Sequence, residues 1–146
     1  MTMRVLEMRN VTKVHGDGPS AVRALDEVDL VLESGSLVAV MGPSGSGKST
    51  LLTIAGALEE PTSGEVWVVG ESLADWSADQ RARLRRRSIG YVFQDFNLLA
   101  GLTALENVSM PLELDGMAVR SARASARSAL EQLGLADKAD RFPDDL

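Results

Sequence analysis

The chain has 146 residues, 45% of them hydrophobic, and carries a formal net charge of −6 from 15 basic and 21 acidic residues. That length fits one domain of ordinary size, and the acidic balance argues against a general nucleic-acid-binding face. The absence of cysteine and the single histidine exclude a disulfide framework, a thiolate nucleophile and a histidine-rich metal centre. Met1-Thr2-Met3-Arg4 lacks the apolar stretch of a secretory signal, and no apolar run approaches the roughly 20 residues of a membrane span. The expected location is the cytosol, unless a partner holds the chain at a membrane.

From the N-terminus, Arg4 to Arg9 alternates apolar and polar residues and predicts a strand, followed by a loop from Lys13 to Ser20 containing Gly16, Asp17, Gly18 and Pro19. Val22 to Leu32 alternates again and predicts a second strand. Glu33-Ser34-Gly35 turns into Leu37-Val38-Ala39-Val40-Met41, an apolar run that reads as a buried strand. A helix beginning near Lys48 continues through Leu51 to about Leu58, where Glu59-Glu60-Pro61-Thr62-Ser63-Gly64 stops it. Glu65 to Gly70 is a short strand. Ser77 to Arg87 reads as a helix with Ser77 as its N-cap, and Ile89 to Phe93 as a buried strand. From Thr103 the pattern is helical, with Leu105, Val108, Met110 and Leu112 apolar. Val119 to Leu133 is an amphipathic helix with Gly134 where a C-cap would sit. Strands followed by helices predict an α/β core over residues 1–95 and a helical subdomain over 96–146.

The chemistry concentrates in Gly42-Pro43-Ser44-Gly45-Ser46-Gly47-Lys48-Ser49-Thr50, which fits the phosphate-binding pattern G-x-x-x-x-G-K-[ST] at every fixed position. Its glycines let the backbone curl so that successive N–H groups face inward as an anion nest. The helix that begins near Lys48 adds the positive end of its dipole. Lys48 offers a mobile point charge to β- and γ-phosphates, and the Ser49 hydroxyl is placed to ligate Mg²⁺. The competing reading of a Gly/Ser-rich stretch is a plain turn, which the Lys-Ser pair and the flanking elements oppose.

Further segments give the chain a resemblance to the ATP-binding subunits of ABC transporters, in the lipoprotein-releasing and macrolide-export branch. They are Met41 through the phosphate loop to Leu52, then Leu58-Glu59-Glu60-Pro61-Thr62-Ser63-Gly64-Glu65, and Ile89-Gly90-Tyr91-Val92-Phe93-Gln94. Asn97-Leu98-Leu99, Leu102-Thr103-Ala104-Leu105-Glu106-Asn107-Val108 and Pro111-Leu112 complete the series. The resemblance covers essentially the whole chain. It implies a P-loop NTPase core of the ABC ATPase type, with antiparallel N-terminal β-strands and the start of an α-helical subdomain, incomplete at its C-terminal side.

The resemblance also implies roles. Gln94 is the Q-loop glutamine, reaching Mg²⁺ or the attacking water, so that Lys48 and Gln94 carry the catalytic roles and Ser49 and Gln94 serve the metal. Residues Gly42 to Thr50 hold ATP. His15 stands where the family commonly places a Tyr that stacks on adenine. The smaller imidazole surface is expected to stack more weakly, and the alternative is a loop histidine facing water. The segment from Asp95 to Pro111 is expected to face a membrane-spanning permease, although Leu98, Leu99, Leu102 and Leu105 also suit an ordinary core. Arg81, Arg83, Arg85, Arg86 and Arg87 lack aromatic neighbours and read as a solvated helix face, with no nucleic-acid partner.

In the family a signature motif follows a segment such as Arg141-Phe142-Pro143-Asp144-Asp145-Leu146, with Leu146 as its opening residue. A Walker B strand, D-loop and switch histidine come later. None of these lies within the 146 residues, and Asp137, Asp140, Asp144 and Asp145 follow no apolar strand. The expectation is therefore a partial ABC ATPase that binds nucleotide weakly and does not turn it over alone, with an unpaired apolar edge that limits solubility. The complete protein is expected to form a homodimer of ATP-binding subunits at the inner face of the cell membrane, held there by its permease. Two alternatives belong to other classes: a non-catalytic nucleotide-binding module or remnant, and a cytosolic ABC-type ATPase of DNA repair or translation. The acidic balance and the 102–108 segment weigh against the last.

Overall fold

Strand β1 (Arg4–His15) lies between β2 (Val22–Glu33) and β3 (Ser63–Val68), and a two-residue strand β4 (Glu71–Ser72) pairs with the far side of β3. All neighbouring pairs in this computed structural model, which describes residues 3–145, are antiparallel. β1 is longer than its alternation indicates because a bulge interrupts it. Asn10 adopts φ +51° and the register shifts between Met8 and Val11. Leu6 and Met8 are buried before the bulge, and Val11 after it. One inserted residue changes the phase of a period-2 pattern, so the alternation is lost although the ladder continues. Lys13 to His15, expected in a loop, are therefore strand residues. On β2, Glu27 at φ +49° lies at the next register shift, between Val11 and Lys13. The freed amides find side chains: Asn10 N–H donates to Asp29 Oδ1 at 2.9 Å and Glu27 N–H to Thr12 Oγ1 at 3.0 Å. A Val69-Gly70 turn, with φ +51° and +82°, joins β3 to β4 as a type I′ geometry requires.

Helix α1 (Lys48–Ala55) packs Ile54 against the sheet, in a core of Leu6, Met8, Val11, Leu25, Val66, Val68, Leu73 and Ala57. Burying Ile54 alone contributes about 1.5–3 kcal/mol. The helix stops at Ala55 rather than near Leu58, because Gly56 and Ala57, the latter at φ +54°, turn the chain and Leu58 N–H bonds back to Thr53 O at 2.9 Å. Helix α2 (Ala78–Ser88) begins at the predicted cap: Ser77 Oγ accepts from Gln80 N–H, and Gln80 Oε1 accepts from Ser77 N–H at 2.8 Å. Its arginines are not one solvated face. Arg85 donates to the Ala57 carbonyl at 2.6 Å, and Arg81 pairs with Glu60 and donates to Leu73 O. Arg83, Arg86 and Arg87 are exposed.

Two expected strands are absent. The run Leu37 to Met41 and the run Ile89 to Phe93 form no ladder. Leu37 is fully exposed, Met41 is 87% exposed and Val92 96% exposed. Runs of this continuous apolar type suit strands covered on both faces and flanked on both sides. Among the described residues no strand lies beside either run to accept its N–H and C=O groups.

The chain divides into two compact units, Met1–Ile89 and Gly90–Leu146. The second holds α3 (Ala104–Leu114) and α4 (Val119–Gln132) around Leu105, Ala126, Leu130 and Ala139. α3 opens with a capping box between Thr103 and Glu106. α4 buries Ala122, Ala126 and Leu130, one per turn, and ends at Gly134 with φ +72° as predicted. Asn107 fastens the preceding loop, its amide donating to Leu99, Leu102 and Thr103 carbonyls at 3.0–3.2 Å and accepting from Leu99 N–H at 2.8 Å. Leu105 is core, whereas Leu98 and Leu99 are exposed. No helix among the described residues is long and apolar enough to cross a membrane. Leu146, assigned above to the opening of a signature motif, lies outside the described residues.

Candidate phosphate-binding site

The loop from Gly42 to Gly47 forms without the expected strand before it. It rests instead on β2. A Cβ at Gly47 would lie 2.2 Å from the Ala24 carbonyl oxygen and 3.2 Å from Leu25 Cδ2, and the residue has φ +84°. Only glycine fits that approach. At Gly42 a Cβ would meet Ser46 Oγ at 2.6 Å, so the loop is also closed on itself there. α1 begins at Lys48 with Gly47 as N-cap, and no side chain caps it. The N–H groups of its first turn are therefore left for a ligand, and the positive end of the helix dipole adds to them.

The Lys48 ammonium folds over the loop. It donates to Gly42 O at 2.8 Å and Pro43 O at 2.7 Å, with Ser46 Oγ at 3.4 Å. The cation is thus held at the mouth of the backbone cradle by neutral acceptors, partners it can exchange for anionic oxygens. Ser49, at the second helical position, is exposed beside it, as are Pro43, Ser44 and Gly45, with Thr50 partly buried. Backbone donors, a helix start and a held ammonium make an arrangement that suits a polyphosphate in charge and in shape. An exposed hydroxyl next to that cradle suits a hard divalent cation shared with phosphate oxygens.

His15 ends β1 opposite Val22 on β2, two residues before Ala24, the carbonyl on which Gly47 rests. The sheet therefore places His15 and the phosphate loop along one strand. Its side chain is 46% exposed, and Nδ1 lies 3.7 Å from Glu59 Oε1. The Lys13 ammonium reaches the same oxygen at 2.9 Å and donates to the Glu60 carbonyl at 2.7 Å, while Thr53 Oγ1 donates to Glu59 Oε2 at 3.3 Å. The hydrogen bond from Lys13 is the main cause holding the Glu59 carboxyl below its usual 4.5. Neither Lys13 nor Glu59 was singled out from sequence. They lie 46 positions apart in the chain, and only the pairing of β1 with the segment after α1 joins them.

Gln94 is exposed in a bend of the unit Gly90–Leu146, whereas all the other predicted site residues belong to Met1–Ile89. Among the described residues no group of three or more His, Asp or Glu side chains is placed to hold a metal ion.

Comparison with known proteins gives a consistent result. A family profile described as ABC transporter matches residues 25–146. The macrolide export ATP-binding/permease protein MacB of Hyphomonas neptunium is 41% identical over 146 residues, which is 100% of this chain and 23% of that protein. The lipoprotein-releasing system ATP-binding protein LolD of Pseudomonas syringae pv. tomato is 43% identical over 142 residues, 97% of this chain and 63% of that protein. Among solved structures, the MJ0796 cassette, a dimer in a post-hydrolysis state bound to ADP and Pi, superposes with a TM-score of 0.88 at 41% identity. That match covers 97% of this chain and 62% of the other. The chain thus spans less than two thirds of the length of these relatives.

Proposed function

Because the chain belongs to the ABC transporter family, we propose that it is the nucleotide-binding portion of an ATP-binding subunit whose ATP hydrolysis drives export, or extraction of a lipoprotein or other substrate, through a separate membrane permease. The observation that carries this reading is the Gly42–Thr50 cradle with Lys48 folded over its mouth. Lys48 exchanges the Gly42 and Pro43 carbonyls for β- and γ-phosphate oxygens. Loop N–H groups hold the phosphates, and the His15 ring stacks on the base. Mg²⁺ would be held by the Ser49 hydroxyl, and would supply charge neutralisation at the phosphates. The segment after Gln94 meets the permease, with exposed Phe96, Leu98 and Leu99 as its apolar contacts. In the full-length protein two copies of the subunit pair, and the assembly sits at the cytoplasmic face of the membrane.

A narrower activity is proposed for the 146 residues by themselves. They supply a cradle, a metal-binding hydroxyl and a glutamine, and no acidic residue in them follows an apolar strand to serve as base. They bind ATP and do not hydrolyse it. Calorimetry with ATP and Mg²⁺ tests the site: saturable binding is expected, weakened at least about tenfold in Lys48→Ala through loss of a charged hydrogen-bond donor. Equal binding by both forms removes the cradle from the reading. Magnesium-dependent turnover that disappears in Lys48→Ala contradicts the narrower proposal.

A further inference from the structure

A base-stacking ring held by a neighbour loses less rotamer freedom on binding than an imidazole free in solvent. His15 has a neighbour placed to do this. Glu59 presents Oε1 to the Nδ1 edge of the ring at 3.7 Å. The carboxylate itself is held by Lys13 Nζ at 2.9 Å on Oε1, with the Thr53 hydroxyl, shared with the Thr50 carbonyl at 3.0 Å, lying 3.3 Å from Oε2. Lys13 is tied in turn to the Glu60 carbonyl, and the segment after α1 is stitched to β1 by Val14 N–H to Thr62 Oγ1 at 3.0 Å and Thr62 N–H to Thr12 O at 2.9 Å. The ring and the ammonium therefore lie at the end of β1, tied to the bend that carries the carboxylate. The remaining exposed surface of the ring stays available to a ligand.

We infer that Glu59 is a positioning residue for His15, biasing the imidazole orientation and its Nδ1–H tautomer so that the ring is ready to meet the base of a bound nucleotide. This rests on the nucleotide-site reading above for the identity of the ligand. The chemistry is simple. An anionic oxygen facing Nδ1 favours the tautomer with hydrogen on that nitrogen, and Nε2 is left as the acceptor. The separation is longer than a hydrogen bond, so the effect is electrostatic guidance rather than a fixed bond. Lys13 shares the same oxygen and limits its strength, which sets the expected change at a few-fold.

The chain contains one histidine, so long-range ¹H–¹⁵N correlation spectra report one imidazole without ambiguity. In the tautomer signals of the 146-residue protein Nδ1 is expected at the protonated-nitrogen position, and Glu59→Gln moves it toward the Nε2–H form. Binding is measured alongside with two probes, ATP and inorganic triphosphate. His15→Ala is expected to weaken ATP about tenfold, the scale of one lost base stack, and Glu59→Gln about threefold, the scale of one modest polar contact. Neither changes triphosphate binding, and in the His15→Ala background Glu59→Gln has no further effect. Identical imidazole spectra with and without the carboxylate overturn the inference. So does a Glu59→Gln protein that loses triphosphate together with ATP, because its role is then structural. Failure of the unsubstituted chain to bind either probe overturns the nucleotide site itself, and the spectra still decide whether Glu59 sets the ring.

Discussion

β1 and the run from Leu37 to Met41 form an instructive pair. The run is the more apolar of the two, yet β1 is in the core and the run is in solvent. β1 carries Glu7, Arg9, Asn10 and Lys13 among its apolar residues and still makes a ladder on both sides. The difference is backbone supply. β1 has β2 and β3 beside it, and even its bulge at Asn10 is repaired by the Asp29 side chain. The 37–41 run has no neighbour among the described residues. Apolar content selects what is buried once a partner exists, and the hydrogen-bond ladder decides whether a strand exists at all.

The comparison is sharpened first at its buried end. Met8 is 1% exposed in the centre of the sheet core, and Met8→Ala is expected to lower unfolding free energy by about 3 kcal/mol in denaturant titration. A loss under about 1 kcal/mol would mean that β1 is not the centre of the fold. Next comes the joint between sheet and phosphate loop. Gly47→Ala forces a Cβ against the Ala24 carbonyl at positive φ. It is expected to cost about 2 kcal/mol and to remove ATP binding in calorimetry. Full ATP affinity in a stable variant would show that the loop does not need β2.

Acid separates the two regions in a third way, since the 37–41 run carries no ionisable side chain. Glu7 on β1 is held below 4.5 chiefly by its hydrogen bond with Arg9, and Glu59 beside β1 chiefly by Lys13. Both folded values lie below the unfolded ones, so the unfolded chain binds protons first. Their contribution is present above about pH 4.5 and is lost as pH falls through the lower folded values. Thermal melts from pH 6 downward should show a falling midpoint below about pH 4.5, with a shallower fall in Glu59→Gln. An identical acid limb in that variant removes the Lys13–Glu59 pair from the account. The smallest effect belongs to the exposed run. Leu37→Ser should change stability by less than about 0.5 kcal/mol, and a loss above 2 kcal/mol would place Leu37 in a buried strand after all.

The sequence by itself determined what is local. The phosphate loop, the start of α1 at Lys48, the Ser77 cap and the Gly134 helix end depend on residues within a few positions of one another, and their spacing carries the geometry. The separate motifs in order were enough to carry the family resemblance. Tertiary structure alone decided the rest. The bulge at Asn10 reversed the phase of the alternation, so β1 could not be followed past Arg9 by pattern. The runs 37–41 and 89–93 needed neighbours that no local signal supplies. Arg81 and Arg85 look like any exposed helix charges until Glu60 and the Ala57 carbonyl are brought to them. Lys13, His15 and Glu59 meet for the same reason. Pairing between distant segments is a property of the folded backbone, and a side chain acquires its neighbours only after that pairing is made.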